Sequence, residues 1–210
     1  HDPYFPHPYD GNGYSRAAHP NPTAAEVPLL TALYDGEITY WDAHFGALVR
    51  DLKARGAYDA TTIVITSDHG EAFGERDLME HSVSVYQDQI SVPLLIKFPQ
   101  SHDGRRVQES VSHVGLLPTI LSVAALPLPQ GIQGIDVRQP TAGVSRTVMS
   151  ESFRNAMFVD WNKRFNRTES AIISGTMILI LSTTGKRELY DLALDPEERT
   201  NLEATTTGVA

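Results

Sequence analysis

The sequence predicts an α/β protein: a mainly parallel sheet flanked by helices over residues 1–140, then a small antiparallel α+β unit with a tail over residues 141–210. Three observations predict it. An apolar stripe of helical period runs through residues 29–55. Two short apolar runs follow it, "TTIVITS" (61–67) and "VPLLIKF" (92–98). Runs of this kind suit strands buried on both faces, as in parallel sheets covered by helices. Beyond residue 140, short strand-like segments punctuated by glycine take over, the pattern of antiparallel hairpins.

Residues 1–28 are dense in Pro, Gly and Tyr and lack periodicity, so they read as loop. In the first helix Leu30, Leu33, Tyr34, Ile38, Trp41, Phe45, Leu48, Val49 and Leu52 recur at steps of three and four. Gly56 ends it. Trp41 and Phe45 follow the stripe and read as core. The two apolar runs are expected to be neighbouring parallel strands, with a short helix around 82–89 between them. "HVGLLPTILSVAAL" (113–126) is a further helix, stopped by the prolines of "PLPQG". The later strand candidates are "RTVMSES", "AMFVDW", "SAIISG", "TMILILST" and "GKRELYDL", with "FVDWNKRF" read as an exposed β-hairpin.

Composition excludes several functions. A formal charge of −9 lacks the basic face that nucleic acid requires, so no nucleic-acid partner is expected. No segment reaches the about 20 apolar residues of a membrane span. With no cysteine, disulfides, thiolate metal sites and a cysteine nucleophile are ruled out in this chain.

Asp68 and His69 stand where the first strand runs out, followed by Gly70. Ligands of open α/β sheets sit at the carboxyl ends of strands. A carboxylate oxygen and a neutral imidazole nitrogen both ligate divalent ions. A tight turn at Gly70 can bring the two adjacent side chains onto one ion, although two ligands are fewer than a site needs. Taken alone, the tripeptide also fits a helix-capping aspartate beside a surface histidine. Glu71 and Glu75 read as solvated, with a supporting role beside the pair as the alternative. His7, His19, His44, His102 and His113 read as loop, helix-surface or capping residues.

The stretch "YDGEITYWDAHFGALVRDLKARGAYDATTIVITSDHGEAFGE" and the spacing onward to "HSVSVYQDQISVPLLIKFP" resemble the sulfatase family of the alkaline-phosphatase-like superfamily. "VSHVGLLPTILSVAALPLPQGIQGIDV" is similar to its next helix and loop, and "KRELYDLALDPEERTNL" to its closing strand and tail. "HDPYFP" is similar to a loop whose histidine faces the substrate. The matches run in order through nearly all of residues 1–203. The resemblance implies that Asp68 and His69 ligate one divalent metal ion, calcium first, with manganese, magnesium and zinc as alternatives. It implies that His1 and His81 face the sulfate or phosphate group. One departure is Gly74-Glu75-Arg76-Asp77, where family members often read Gly-Glu-His-Gly.

The larger departure is an absence. The family's two further metal-binding aspartates and its Cys-x-Pro-x-Arg or Ser-x-Pro-x-Arg nucleophile motif have no counterpart here. The chain is therefore expected to be the C-terminal half of such a domain, an incomplete fold whose N-terminal half is its partner. The nearest hydroxyls, Thr66 and Ser67, are expected to make local hydrogen bonds. A sulfuric-ester hydrolase is the first reading. A phosphodiesterase, phosphonate monoester hydrolase or phosphoethanolamine-type transferase is the second, and a non-catalytic truncated binding module the third.

Overall fold

The computed structural model describes residues 23–139 and 146–203. The first long helix, α1, spans Val27–Ala54. Pro28 sits in its first turn, where a missing N–H costs nothing. Glu26 accepts hydrogen bonds from the Thr23 amide and hydroxyl, both at 2.7 Å, which fixes the entry. Only Leu30 of its apolar stripe is fully buried, packed with Leu33, Tyr34, Phe73 and Met79. Trp41, expected in the core, is half exposed and stacks on Phe45 with ring centroids 5.1 Å apart. Ile38, Tyr40 and Leu48 of the same helix are likewise about half exposed.

The two apolar runs form β1 (Ile63–Thr66) and β4 (Leu94–Lys97), which pair as neighbours. They pair antiparallel, Ile63 opposite Lys97 and Thr66 opposite Leu94, and this corrects the parallel arrangement expected from sequence. The reason lies in the connection. A parallel return needs a crossover long enough to carry the chain back to the start of the first strand, usually a full helix. Here the connection holds a two-residue hairpin, β2 (Ala72–Phe73) with β3 (Met79–Glu80), and a single helical turn, α2 (Gln87–Ile90). Gly70 donates its N–H to the Gln89 carbonyl at 2.8 Å, holding the two ends of the excursion together. The chain thus re-enters beside the end it left. The side chain of Gln89 explains why the helix expected around 82–89 shrinks to α2. The side-chain oxygen of buried Gln89 accepts from the amides of Val83 and Ser84, keeping that backbone extended. Among the described residues neither β1 nor β4 is buried on both faces.

Residues 116–123 form α3 (Leu116–Val123), entered through a tight turn at His113–Gly115. The C-terminal part is a four-stranded antiparallel sheet in the order β5 (Thr147–Ser152), β6 (Glu169–Ser174), β7 (Met177–Ser182) and β8 (Arg187–Asp191). Alternation decides its inner face: Ala171 and Ile173, Ile178 and Ile180, and Tyr190 point inward from successive strands. That face buries Leu78, Val83, Val85 and Tyr86 from the β2–α2 excursion, so the main core joins residues from both sides of position 140.

The segment expected as a strand at 156–161 is a helix, α4 (Ala156–Trp161). Asn155 caps it, its side-chain oxygen accepting from the Met157 amide at 2.9 Å. Phe158 and Val159 are adjacent and both buried, which a strand with side chains on alternate faces cannot provide. "FVDWNKRF" is accordingly helix and single 3₁₀ turn, not hairpin. Among the described residues no helix is long and apolar enough to cross a membrane.

Candidate active site

β1 delivers Asp68 and His69 at its carboxyl end, and the turn that follows is shaped by close contact. A Cβ on Gly70 would lie 2.1 Å from the Asp88 carbonyl oxygen, so only glycine lets the loop dock on α2. Ser67 donates its hydroxyl to the His69 carbonyl at 2.6 Å, tightening the turn. Thr66 lies within hydrogen-bonding distance of the Ser67 carbonyl, at 3.3 Å. Both strand-end hydroxyls are thus engaged locally.

His69 Nδ1 lies 2.7 Å from the Gly70 carbonyl oxygen. A carbonyl only accepts, so Nδ1 carries the hydrogen of the neutral ring and Nε2 keeps its lone pair. That Nε2 is 3.7 Å from Asp68 Oδ1. An electron pair and a carboxylate oxygen at this separation attract only through a positive charge, supplied by a proton on the imidazole or by a shared cation. Oxygen and nitrogen ligands at about 2.0–2.6 Å from one ion leave such a gap between them. The donor set therefore fits a divalent cation. Asp68 is 71% exposed at its side chain, and the pair opens outward. Among the described residues no group of three or more His, Asp or Glu side chains could hold a metal ion.

His81 joins the pair. Its ring stacks on that of His69 with centroids 3.8 Å apart and planes 20° apart. Its Nδ1 is 3.2 Å from Glu71 Oε1 and 3.4 Å from Oε2. Asp68, His69 and His81 are thus brought together. His1 lies outside the described residues. Glu71, expected to be solvated, has a side chain only 2% exposed, because the next residue, Ala72, enters the core and draws the turn inward. Glu75 does remain at the surface and accepts the Phe73 amide at 2.6 Å. His113, expected to do no more than open a helix, has a nearer role. Its Nε2 lies 3.2 Å from the Thr66 hydroxyl, at the same strand end as Asp68. Nothing in the local sequence signals that approach.

A second polar cluster braces the loop that carries His81. Arg76 and Asp77 both take left-handed backbone, with φ of 53° and 56°. This turns the Arg76 guanidinium onto Asp88 Oδ2 at 2.7 Å, the Glu197 carbonyl at 2.6 Å and Glu198 Oε2 at 3.2 Å. It also lies over the Tyr86 ring, 4.0 Å from its centroid. Burial pushes the Glu198 carboxyl up to about 7, against the Gln87 amide and Arg76, which favour its charged form. Asp88 is likewise raised, mainly by burial. Behind them Tyr86 and Tyr190 donate to the two oxygens of Glu188 at 2.7 and 2.6 Å. Burial would raise Glu188, but these bonds and Lys186 together hold it below its ordinary value. Sequence spacing gave no sign of this clasp, in which Arg76 meets Glu197 and Glu198, and Tyr86 meets Glu188, across more than 100 positions.

Residues 1–126 match the family model described as Sulfatase, and residues 74–208 match that of the N-sulphoglucosamine sulphohydrolase C-terminal region. The chain is 28% identical to arylsulfatase K of Bos taurus, over 94% of this chain and 38% of that protein. It is 30% identical to an uncharacterized sulfatase, YidJ, of Escherichia coli K12, over 88% of this chain and 36% of that one. The crystal structure of a phosphonate monoester hydrolase of Agrobacterium radiobacter covers 95% of this chain and 41% of its own, with TM-score 0.72 and 26% identity. The chain thus spans little more than a third of the length of the curated relatives it matches.

Proposed function

Because this chain belongs to the sulfatase family, we propose that it is part of a metal-dependent sulfuric-ester hydrolase, supplying half of the cation site and histidines that face the ester. The observation that carries this reading is the Asp68–His69 pair, a carboxylate oxygen 3.7 Å from an imidazole nitrogen whose other nitrogen is tied to a backbone carbonyl. These two residues would hold the cation, which supplies charge to depress the pKa of a nucleophile and to draw a non-bridging ester oxygen. His81, whose ring stacks on that of His69, is proposed to face the transferred group and, when its ring is protonated, to stabilise charge on it. His1 is proposed to reach the same group. An imidazole ligand suits borderline ions better than calcium, so manganese and zinc belong beside calcium and magnesium as candidates.

The attacking atom is proposed to come from outside the chain. The described hydroxyls nearest the pair, Thr66 and Ser67, are occupied in the turn. The further metal ligands and the nucleophile would belong to the part of a full-length relative that these residues do not span. A phosphorus ester in the same site is the second reading, motivated by the likeness to the phosphonate monoester hydrolase.

Two measurements test the proposal. Calorimetric titration of the 210-residue chain with calcium, magnesium, manganese and zinc is expected to show weak binding, on the order of 10⁻⁴ M or weaker for so few ligands. Asp68→Ala is expected to abolish it. Binding unaffected by that substitution would sink the cation assignment. Assays with para-nitrophenyl sulfate and bis-para-nitrophenyl phosphate are expected to show no multiple turnover by this chain alone. Turnover abolished by Asp68→Ala would place the nucleophile inside it.

A further inference from the structure

We propose that Glu71 is a positioning residue: its buried carboxylate fixes which nitrogen of His81 carries the hydrogen and holds the His81 ring against His69. The inference rests on the reading above only for the use to which His81 is put.

Three observations converge on it. The first is geometry. Both carboxylate oxygens of Glu71 lie within reach of the same ring atom, Nδ1 of His81, at 3.2 and 3.4 Å. An ionised carboxylate only accepts, so the neutral ring must carry its hydrogen on Nδ1. An isolated imidazole has no such obligation.

The second is burial. The Glu71 side chain is 2% exposed and precedes fully buried Ala72. A carboxylate taken out of water costs several kcal/mol unless a partner satisfies it. Tyr34 of α1 faces it as well: burial raises the tyrosine's pKa, and the charge of Glu71 raises it further. A carboxylate is not placed there for solubility. Nor is it a third ligand of the cation pair, since no three such side chains among the described residues could hold a metal ion together.

The third is the pairing of the two rings. His69 is tied through Nδ1 to the Gly70 carbonyl, and His81 through Nδ1 to Glu71, while the rings lie 3.8 Å apart and nearly parallel. Two acceptors from consecutive residues, 70 and 71, thus set both imidazoles. Each ring is anchored at Nδ1. Gly70 orients the cation ligand, Glu71 orients its neighbour, and the short link between them fixes one ring relative to the other.

The test is long-range ¹H–¹⁵N NMR of the full chain with ¹⁵N-labelled histidine, at a pH above histidine titration. His81 is expected in the Nδ1–H form, with ring–ring cross-peaks to His69. A wild-type His81 in the Nε2–H form overturns the proposal at once. Glu71→Leu removes the acceptor at similar volume. It is expected to shift His81 toward the Nε2–H form and to lose the cross-peaks, while the backbone amide spectrum stays dispersed. A folded Glu71→Leu chain with His81 unchanged overturns it. Should Glu71→Leu fail to fold, Glu71→Gln decides: it keeps an acceptor oxygen, so the tautomer is expected to persist while the Nδ1–H proton moves upfield for want of the charge. An unmoved proton overturns the proposal. None of these readings depends on bound metal. The Asp68→Ala titration can therefore fail while the tautomer result stands, and the reverse.

Discussion

Ile178 and Ile180 on β7 are 0% and 1% exposed, while Leu95 on β4 is 57% exposed and Trp41 on α1 50%. The first two belong to a sheet that closes its inner face with residues of the β2–α2 excursion. The other two belong to elements whose apolar residues mostly stay exposed or half-buried among the described residues. Exposed Val114, Leu117 and Ile120 around α3 share that condition. The C-terminal sheet and the excursion bury each other. The N-terminal helix and the β1–β4 pair lack such closure among the described residues. Large exposed apolar patches mark surfaces built for contact. The candidate site lies where the two regions meet, with Asp68 and His69 on the open side and Glu71 entering the closed core.

The largest effect that would test this contrast is in the closed region. Ile180→Ala is expected to cost about 3 kcal/mol in urea denaturation, from lost burial and the cavity left behind. A cost below about 1 kcal/mol would show that the sheet is not the stable part.

Arg76→Met comes next, at about 2 kcal/mol, because Asp88 and Glu198 lose their shared cation. The substitution is expected to loosen the 195–203 segment first, read as faster amide exchange there than in β6 and β7.

A smaller effect is read against pH. Folded Glu198 keeps its proton up to about pH 7, whereas an unfolded glutamate releases it at its ordinary value. Between those limits the folded chain binds more protons. Stability from this group therefore falls as pH rises toward 7 and returns on acidification toward 5. Glu198→Gln is expected to flatten the denaturation midpoint over that interval relative to the parent chain. An identical pH slope in both would remove Glu198 from the clasp.

The smallest effects belong to the open region. Trp41→Ala and Leu95→Ala are expected to change this chain's stability by no more than about 0.5 kcal/mol, as ordinary surface substitutions do. In a protein of the relatives' full length the same changes are expected to cost as core truncations. Equal small costs in both would mean that nothing ever covers these faces.

Much of this was legible without coordinates. Local period gave α1 to within two residues at its start, and strand alternation gave β5 to β8, because those signals depend only on near neighbours. The ordered resemblance along residues 1–203 gave the family, since it adds many weak local matches. "AMFVDW" misled because a β-branched and aromatic run is ambiguous at six residues, and a cap plus two adjacent buried side chains settled it as helix.

The sequence by itself determined α1, α3, the strands of the C-terminal sheet and the Asp-His-Gly turn at a strand end, each encoded by near neighbours, and the family, encoded by many weak matches in order along the chain. Tertiary structure alone decided that β1 and β4 run antiparallel, that Glu71 is buried against His81, that His113 reaches Thr66, and that Arg76 clasps Glu198. The physical reason is the same in each case. Direction of pairing, burial of a charge and contact across 47 or 122 positions depend on where the chain returns to itself, and no local pattern of side chains records that.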